Sequence, residues 1–299
     1  MIDFCGVTFK NPVIAASGTF GFGREFEQFY DLSRLGGISV KGLTLQKRLG
    51  NPPPRIAETP MGILNSVGLQ NPGVEYFIEH ELPYLKQFDT RIIANISGST
   101  MDDYVKMTEI LNDSGIDLFE VNISCPNVKE GGVAFGTNAD TILEITQKVK
   151  KAAKLPVIIK LSPNVTDIAA MAKAAEAGGA DAVSLINTLL GMKIDIKTRR
   201  PVLHNNVGGL SGPAVKPVAV RMVWQVRNAV KIPIIGMGGI MTGEDAIEFF
   251  LAGADLVQVG TANLADPMAC IRVLDGIDEY KKTNGIKEIS EIIGKVESY

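Results

Sequence analysis

Apolar residues along the chain form short continuous runs separated by longer amphipathic segments. The runs are rich in Val, Ile and Leu and do not alternate with polar residues, which is typical of parallel strands covered on both faces. The predicted strands are Val13–Ala16, Ile38–Val40, Ile92–Ile96, Leu118–Ile123, Val157–Leu161, Ala182–Ile186, Ile232–Gly236 and Leu256–Val259. The predicted helices between them are Asp102–Asn112, Thr141–Ala153, Asp167–Ala177, Val215–Val230 and Gly243–Leu251.

A weak internal repeat supports this alternation of strands and helices. KLPVIIKL (Lys154–Leu161) is echoed by KIPIIGMG (Lys231–Gly238), and AGGADAVSL (Ala177–Leu185) by AGADLVQVG (Ala252–Gly260). In each copy of the second motif a helical pattern ends at Gly, and an Asp precedes the next strand, as it also does in SGIDLFEV. We therefore expect an α/β protein with a single (β/α)8 barrel as one domain over residues 1–299. A doubly wound open sheet is the alternative, but no G-x-G-x-x-G fingerprint opens a βαβ unit.

Composition and charge limit which kinds of partner the protein can bind and indicate its cellular compartment. Hydrophobic residues make up 45% of the 299 residues and the formal net charge is −3, so a large core is expected and a basic surface for nucleic acid or anionic lipid is not. No apolar run is long enough to span a membrane, and the N-terminus does not resemble a signal peptide. The three cysteines, Cys5, Cys125 and Cys270, form no CxxC pair. We expect no metal site, no iron–sulfur cluster on this chain and a reducing cytoplasmic location.

Polar residues and glycines follow the predicted strands where each one ends. In a (β/α)8 barrel these carboxyl ends meet around one opening, where functional groups gather. The residues at these ends are Ser17, Lys41, Gly42, Asn95, Asn122, Cys125, Asn127, Lys160, Asn187, Thr188, Gly238, Gly239, Gly260 and Thr261, with Asn65 in the loop after the second strand. Carboxylates are absent from these ends, which argues against a divalent metal.

Each residue type has a chemical interpretation and a simpler one. The glycines after the last two strands favour phosphate binding by backbone N–H groups, or they only form tight turns. Lys41 and Lys160 favour an anionic or electron-rich ligand, or they pair with a carboxylate for stability. The asparagines suit a heterocycle with C=O and N–H edges. The thiol of Cys125 suits a base or nucleophile, or it is inert. A Schiff-base aldolase using Lys160 and a barrel that only binds a ligand stay open as alternatives.

Several segments together resemble the class 1 dihydroorotate dehydrogenases over essentially the whole chain. These are NSVGLQNPG (Asn65–Gly73), NISCPN (Asn122–Asn127), VIIKLSPN (Val157–Asn164), LINT (Leu185–Thr188), GMGGI (Gly236–Ile240) and VGTA (Val259–Ala262). GTFGFGREF and NVKEGGVAFGT are most similar to the NAD-linked class 1B catalytic subunit. A class 2 enzyme would carry Ser at the position of Cys125, and the related domain of dihydropyrimidine dehydrogenase would differ at Asn127.

The resemblance implies flavin mononucleotide (FMN) and dihydroorotate as ligands of the barrel mouth. It places the FMN phosphate at Gly212, Gly238, Gly239, Gly260 and Thr261, and the flavin ring at Ser17, Lys41, Gly42, Asn95, Asn122, Lys160 and Ile186. It places the substrate at Lys41, Asn65, Ser66, Val67, Gly68, Leu69, Asn122, Asn127, Asn187 and Thr188.

The resemblance also implies a mechanism and a partner. Cys125 removes a proton from carbon 5 of (S)-dihydroorotate, carbon 6 gives a hydride to FMN, and Lys160 stabilises the reduced ring. The product is orotate, on the route to UMP. Electrons pass to NAD through a partner subunit that carries FAD and a 2Fe–2S cluster, with a homodimer of this chain in a heterotetramer. A fumarate-linked class 1A enzyme is the alternative.

Overall fold

The centre of the molecule is a closed barrel of parallel strands. The computed structural model describes residues 1–124 and 135–297. The eight barrel strands are β1 (Val13–Ala15), β2 (Gly37–Ser39), β3 (Arg91–Ile96), β4 (Leu118–Asn122), β5 (Val157–Lys160), β6 (Ala182–Leu185), β7 (Ile234–Met237) and β8 (Leu256–Val259). Each strand pairs with the next in the chain, and β8 pairs with β1 to close the ring. The predicted (β/α)8 barrel is confirmed, and its strands lie where the apolar runs predict them.

Helices cover the outside of the barrel between consecutive strands. The longer helices are Met101–Leu111, Ala139–Ala152, Ile168–Ala177, Lys216–Arg227, Gly243–Ala252 and Ala269–Thr283. Shorter helical segments are Leu32–Arg34, Val74–Tyr76, Phe77–Glu81, Leu82–Leu85, Pro213–Val215, Ala262–Ala265 and Ile289–Glu291. The predicted helix from Val215 starts one residue later, because Pro213–Val215 forms a separate 3-10 turn. Within the described residues, no helix has the length and apolar composition that a bilayer span requires.

The Asp of the sequence repeat has the same structural role in three places. Asp117, Asp181 and Asp255 each precede a barrel strand and accept a backbone N–H from the first or second residue of the strand before it, with N–O distances of 2.8, 2.7 and 2.8 Å. Each also meets a cation, and the partners are Arg91, Lys150 and Arg227. The Asp of the repeat therefore makes the same contact each time, a hydrogen bond that links neighbouring strands at the amino end of the barrel.

A hairpin that the sequence analysis did not predict closes this amino end. Ile2–Phe4 and Val7–Phe9 pair as antiparallel strands, and the rings of Phe4 and Phe9 meet edge to face at 6.0 Å. Both rings are fully buried against an apolar layer inside the barrel. The members of that layer are Ile14, Ile93, Leu118, Ile158, Ala182, Ile235 and Leu256.

Side chains inside the barrel change from apolar to polar toward the carboxyl end. Because alternate strand residues face the same side, Glu120 lies above Leu118 and Lys160 above Ile158. The other polar residues at this level are Ser39, Asn95, Ser184 and Gln258. All are buried, so the layer forms a polar floor beneath the mouth.

A small antiparallel sheet lies over the mouth and was not predicted either. Its four strands, in spatial order, are Leu189–Gly191, Gly208–Ser211, Gly62–Asn65 and Ile56–Thr59. A further hairpin pairs Ile194–Asp195 with Arg200–Pro201. We call the four-stranded unit the roof sheet. It joins the loop after β2 to the loop after β6, so the cavity wall depends on contacts between distant parts of the chain.

We expect Asp255→Ala to lower the free energy of unfolding by about 1–3 kcal/mol, because it leaves the Ile234 N–H without its side-chain acceptor and Arg227 without its carboxylate. Urea unfolding at pH 7 measures this. The control is Asp278→Ala on the exposed side of the helix Ala269–Thr283, which is expected to change stability by less than about 0.5 kcal/mol. Equal effects of the two substitutions would contradict the strand-tying role.

Candidate active site

A cavity opens at the carboxyl ends of the barrel strands, beneath the roof sheet. Most residues predicted for the site line it, from both the barrel and the loops. Those lining residues are Ser17, Lys41, Gly42, Asn65, Val67, Gly68, Leu69, Asn95, Asn122, Lys160, Asn187, Thr188, Gly238, Gly239, Gly260 and Thr261. The structure thus brings together positions that are up to 244 residues apart in the chain.

Five predicted residues are not among those that line the cavity within the described part of the chain. Ser66, Ile186 and Gly212 lie beside the cavity and not in its wall: Ser66 and Ile186 are buried, and Gly212 contacts the turn at Gly239. Cys125 and Asn127 lie outside the described residues. Their predicted roles therefore remain predictions.

The glycine turn after β7 needs residues without a side chain. Gly239 has a φ of +81°, and a Cβ atom there would lie 2.9 Å from the carbonyl oxygen of Gly212 and 3.0 Å from the backbone nitrogen of Lys216. Gly238 has a φ of +128°, and its Cβ would meet Ala219 at 2.8 Å. Glycine is required at both positions for two reasons: the backbone φ is positive, and neighbouring atoms leave no room for a Cβ atom. The turn exposes backbone to the cavity, which suits a phosphate.

A chain of hydrogen bonds orients the carboxamides of the cavity wall. The Thr188 N–H donates to Asn187 Oδ1 at 2.9 Å, and Asn187 Nδ2 donates to Ser124 Oγ at 2.7 Å. Ser124 Oγ donates in turn to Asn122 Oδ1 at 2.9 Å. Asn122 Nδ2 then faces Asn95 Oδ1 at 3.5 Å, a long contact. The Thr188 N–H, at one end of this series of hydrogen bonds, fixes which way each amide points.

The other end of this series of hydrogen bonds is the carboxylate of Glu120. Asn95 Nδ2 donates to Glu120 Oε2 at 2.6 Å, so Asn95 must present its oxygen to Asn122. Register explains the contact, because Asn95 and Glu120 are paired across β3 and β4. A carboxylate can only accept, so it fixes the direction of the series from the opposite side.

Lys160 carries the buried positive charge of the cavity. Its side chain is 6% exposed, and its Nζ lies 3.6 Å from Glu120 Oε2. The neighbouring carboxylate that the simpler interpretation of Lys160 required is therefore present. At this distance the contact is ionic and not a hydrogen bond. The ammonium therefore keeps its donors for the cavity.

Glu120 is ionised in this setting. Burial works against ionisation, but the Lys160 ammonium and hydrogen bonds from Asn95, Ser39 and Ser184 outweigh it and hold the pKa of Glu120 below its ordinary value. A fully buried carboxylate with this many partners is stable only as an anion.

The loop after β2 supplies another wall of the cavity. Asn65 ends a strand of the roof sheet and its Nδ2 donates to the Gly209 carbonyl at 3.4 Å. Gly68 and Leu69 both have left-handed φ values, of +76° and +56°. Asn51 holds the loop by donating from its Nδ2 to the Ser66 carbonyl at 2.9 Å. The loop is thus shaped by backbone contacts and not by packing alone.

The two thiols inside the described residues are poorly suited to chemistry. Burial raises the pKa of Cys270 to about 12. Burial and the nearby carboxylates of Asp181 and Asp255 raise the pKa of Cys5 to about 12. Cys5 lies at the amino end of the barrel, where its Sγ contacts the Asp181 carbonyl. Both therefore remain thiols near neutral pH.

Several wall and floor residues were not predicted. Gln258 lines the cavity from β8, and Glu120, Ser39 and Ser184 lie beneath it. The signal for Glu120 was present, because a charged residue stands inside the apolar strand LFEVN. The other missed lining residues are Ala16, Thr19, Ile56, Ile63, Ser211, Val215, Met237 and Leu264.

Comparison with known proteins decides the family. The sequence profile of the family described as dihydroorotate dehydrogenase matches residues 1–280. The chain belongs to this family. Among curated relatives, the dihydroorotate dehydrogenase B (NAD(+)) catalytic subunit of Alkaliphilus oremlandii is 62% identical over 295 residues, covering 99% of this chain and 98% of that one. The protein of the same name from Bacteroides fragilis is 60% identical over 289 residues, covering 96% and 95%.

A solved dihydroorotate dehydrogenase shares the fold. The crystal structure of the enzyme from Eimeria tenella, in complex with ferulenol, superposes with a TM-score of 0.82. It is 22% identical and covers 98% of this chain and 87% of that one. Membership in this flavin-dependent family does not support the Schiff-base aldolase alternative or a barrel that only binds a ligand.

We expect Gly239→Ala to destabilise the protein by about 1–2 kcal/mol from left-handed strain alone, with more from the contact at Gly212. Gly260→Ala is the matched control, because it also lines the cavity but its Cβ would lie 3.6 Å from Ala16, an ordinary contact. Thermal unfolding of the two ligand-free variants tests this. A Gly239→Ala protein as stable as Gly260→Ala would show that the turn does not need glycine.

Proposed function

We propose that this chain is the catalytic subunit of an NAD-linked dihydroorotate dehydrogenase, which oxidises (S)-dihydroorotate to orotate in the synthesis of UMP. The observation that carries the proposal is the cavity itself. It combines a glycine turn suited to phosphate, a buried ammonium and a series of oriented carboxamides at one barrel mouth. Family membership supplies the reaction class.

We infer that FMN is the cofactor of a single barrel domain spanning residues 1–299. The backbone of Gly238, Gly239 and Gly260 suits the phosphate, with Gly212 behind the turn and the hydroxyl of Thr261 beside it. The Lys160 ammonium and the carboxamides suit the electron-rich edge of a flavin ring. The remaining proposed ring contacts are Ser17, Lys41, Gly42, Asn95, Asn122 and Ile186.

Dihydroorotate is assigned to the part of the cavity nearer the roof sheet. Lys41 is the cation proposed for the substrate carboxylate, and the carboxamides match the C=O and N–H edges of its ring. This orientation restricts the substrate to one pose, which is a large part of what such a site contributes to rate. The proposed contacts are Lys41, Asn65, Ser66, Val67, Gly68, Leu69, Asn122, Asn127, Asn187 and Thr188.

The oxidation removes one proton and one hydride from adjacent carbons. Cys125 takes the proton of carbon 5, and the electron pair of that C–H bond forms the new double bond to carbon 6. Bound FMN would supply the acceptor for the hydride that leaves carbon 6. Cys125 is the proposed base because NISCPN resembles the family motif that carries the base, and because the thiols of Cys5 and Cys270 are inert. In the sequence Cys125 directly follows Ser124, whose hydroxyl belongs to the oriented wall.

We expect Cys125→Ser to slow reduction of the bound flavin by dihydroorotate about 10²–10⁴-fold, because a hydroxyl loses its proton far less readily than a thiol. Anaerobic stopped-flow measurement of flavin absorbance checks this. Cys5→Ser is the control and should react at the wild-type rate, since Cys5 lies at the opposite end of the barrel. The proposed cofactor is refuted if the purified wild-type chain is colourless and takes up no added FMN.

A separate subunit is proposed to pass the electrons to NAD. The relatives from Alkaliphilus oremlandii and Bacteroides fragilis are named as NAD(+)-linked catalytic subunits, which favours NAD over fumarate and calls for a second subunit. We propose that this subunit carries FAD and a 2Fe–2S cluster and that two copies of each chain assemble. A cytoplasmic location suits the free thiols of Cys5 and Cys270.

The isolated chain should therefore reduce an artificial dye with dihydroorotate as donor, but should not reduce NAD at a measurable rate. Adding the partner subunit should restore NAD reduction. Spectrophotometric assays of dye and NADH absorbance test this. Direct NAD reduction by the chain alone would contradict the relay, and rapid fumarate reduction would support the class 1A alternative.

A further inference from the structure

Glu120 is the most unusual side chain of the barrel interior. It is fully buried on β4, above the apolar layer and below the cavity. Burying a carboxylate is costly unless it is well paired, and apolar residues of similar volume at such places are often as stable or more so. Its presence here therefore calls for a role beyond filling the barrel.

Neutral donors from four other strands saturate this carboxylate. Ser39 Oγ and Asn95 Nδ2 donate to Oε2 at 2.8 and 2.6 Å. Ser184 Oγ and Gln258 Nε2 donate to Oε1, both at 2.8 Å. Lys160 adds the ionic contact from a fifth strand. One side chain thus fixes the polar groups of five other strands.

This arrangement decides which atoms the floor can offer to a ligand. Gln258 lines the cavity, and the hydrogen bond from its Nε2 to Glu120 fixes which end of the amide is the oxygen, Oε1. That Oε1 is buried and has no hydrogen-bond partner within the described residues. An unpaired buried acceptor of this kind is rare and costly, which points to a ligand donor.

Lys160 shows the complementary feature. Its ammonium is buried, lines the same cavity and has no hydrogen-bond acceptor among the residues that the structure describes; the Glu120 carboxylate at 3.6 Å is its ionic partner. A buried ammonium offers three donors. The floor thus pairs one unused acceptor, on Gln258, with one source of unused donors, on Lys160.

We propose that Glu120 is a positioning residue for the flavin, and that Gln258 is a ligand-binding residue oriented by it. Glu120 holds Lys160 in place and accepts one N–H each from Asn95 and Gln258, which fixes the direction of both amides. The floor then presents a cation beside an amide oxygen, which matches the alternating acceptor and N–H groups along the pyrimidine edge of a flavin. This inference rests on the proposed FMN cofactor.

The decisive variant is Glu120→Gln, which keeps the shape, removes the charge and replaces one acceptor oxygen by a donor. At least one neighbouring donor loses its acceptor, so we expect FMN to bind the FMN-free protein about tenfold more weakly. The midpoint potential of the bound flavin should rise, because an anion near the reduced, more negative ring is gone. Quenching of FMN fluorescence and equilibration with redox dyes measure the two quantities.

Ser184→Ala is the matched control. It removes one hydrogen bond from the same carboxylate but keeps the charge and leaves Gln258 and Lys160 in place. FMN affinity should stay within about twofold of wild type and the potential should not change. A role limited to packing would move the unfolding temperature of both variants and leave the potential of both at the wild-type value.

A folded Glu120→Gln protein with wild-type FMN affinity or wild-type potential overturns the proposal. If the single variant does not fold or does not keep FMN, Lys160→Gln is compared with Glu120→Gln/Lys160→Gln, in which both charges are removed. A higher potential in the double variant supports the role of Glu120, and equal potentials overturn it.

Gln258→Leu tests whether Gln258 binds the ligand. It should weaken FMN binding by about tenfold without a comparable rise in the midpoint potential of the flavin. Unchanged FMN affinity in this variant removes Gln258 from the site. A wild-type chain that binds no FMN refutes the cofactor itself, whereas failure of these variants alone refutes only the positioning.

Discussion

The hydrogen bonds between Glu120 and the polar groups around it mark the boundary between an apolar and a polar half of the barrel interior. Below it, the barrel is packed with aliphatic side chains and capped by Phe4 and Phe9. Above it, every carboxamide of the wall points in a direction that can be traced back to an acceptor that cannot donate. The low dielectric around a buried charge strengthens its hydrogen bonds, so this layer is rigid.

The same layer explains why lysine and asparagine tolerate such deep burial. Lys160 faces a carboxylate, and Asn95 shares its amide between that carboxylate and Asn122. The site is therefore organised before any ligand arrives, which lowers the entropic cost of binding and of catalysis. The moving parts, if the reaction needs them, must lie in the loops above and not in the floor.

Some of this could be read from the sequence and some could not, for physical reasons. Continuous apolar runs predicted the barrel strands, and residues such as Asn122 and Lys160 were found because parallel strands end at the same edge. The roof sheet was missed because its short strands pair antiparallel across a long separation, as Gly209 with Asn65. Gln258 was missed because its environment depends on Glu120 of another strand, which no local pattern reveals.

The roof sheet also has a consequence for how the protein is made. The cavity wall begins at Ala16 and ends at Leu264, and the sheet above it joins strands from both halves of the chain. No early portion of the polypeptide contains enough of this wall to retain a small molecule. As the ribosome releases the chain from its N-terminus, any ligand of the cavity must enter late, when nearly all of the polypeptide has emerged. Binding of a ligand by the complete cavity therefore follows the synthesis of nearly the whole chain.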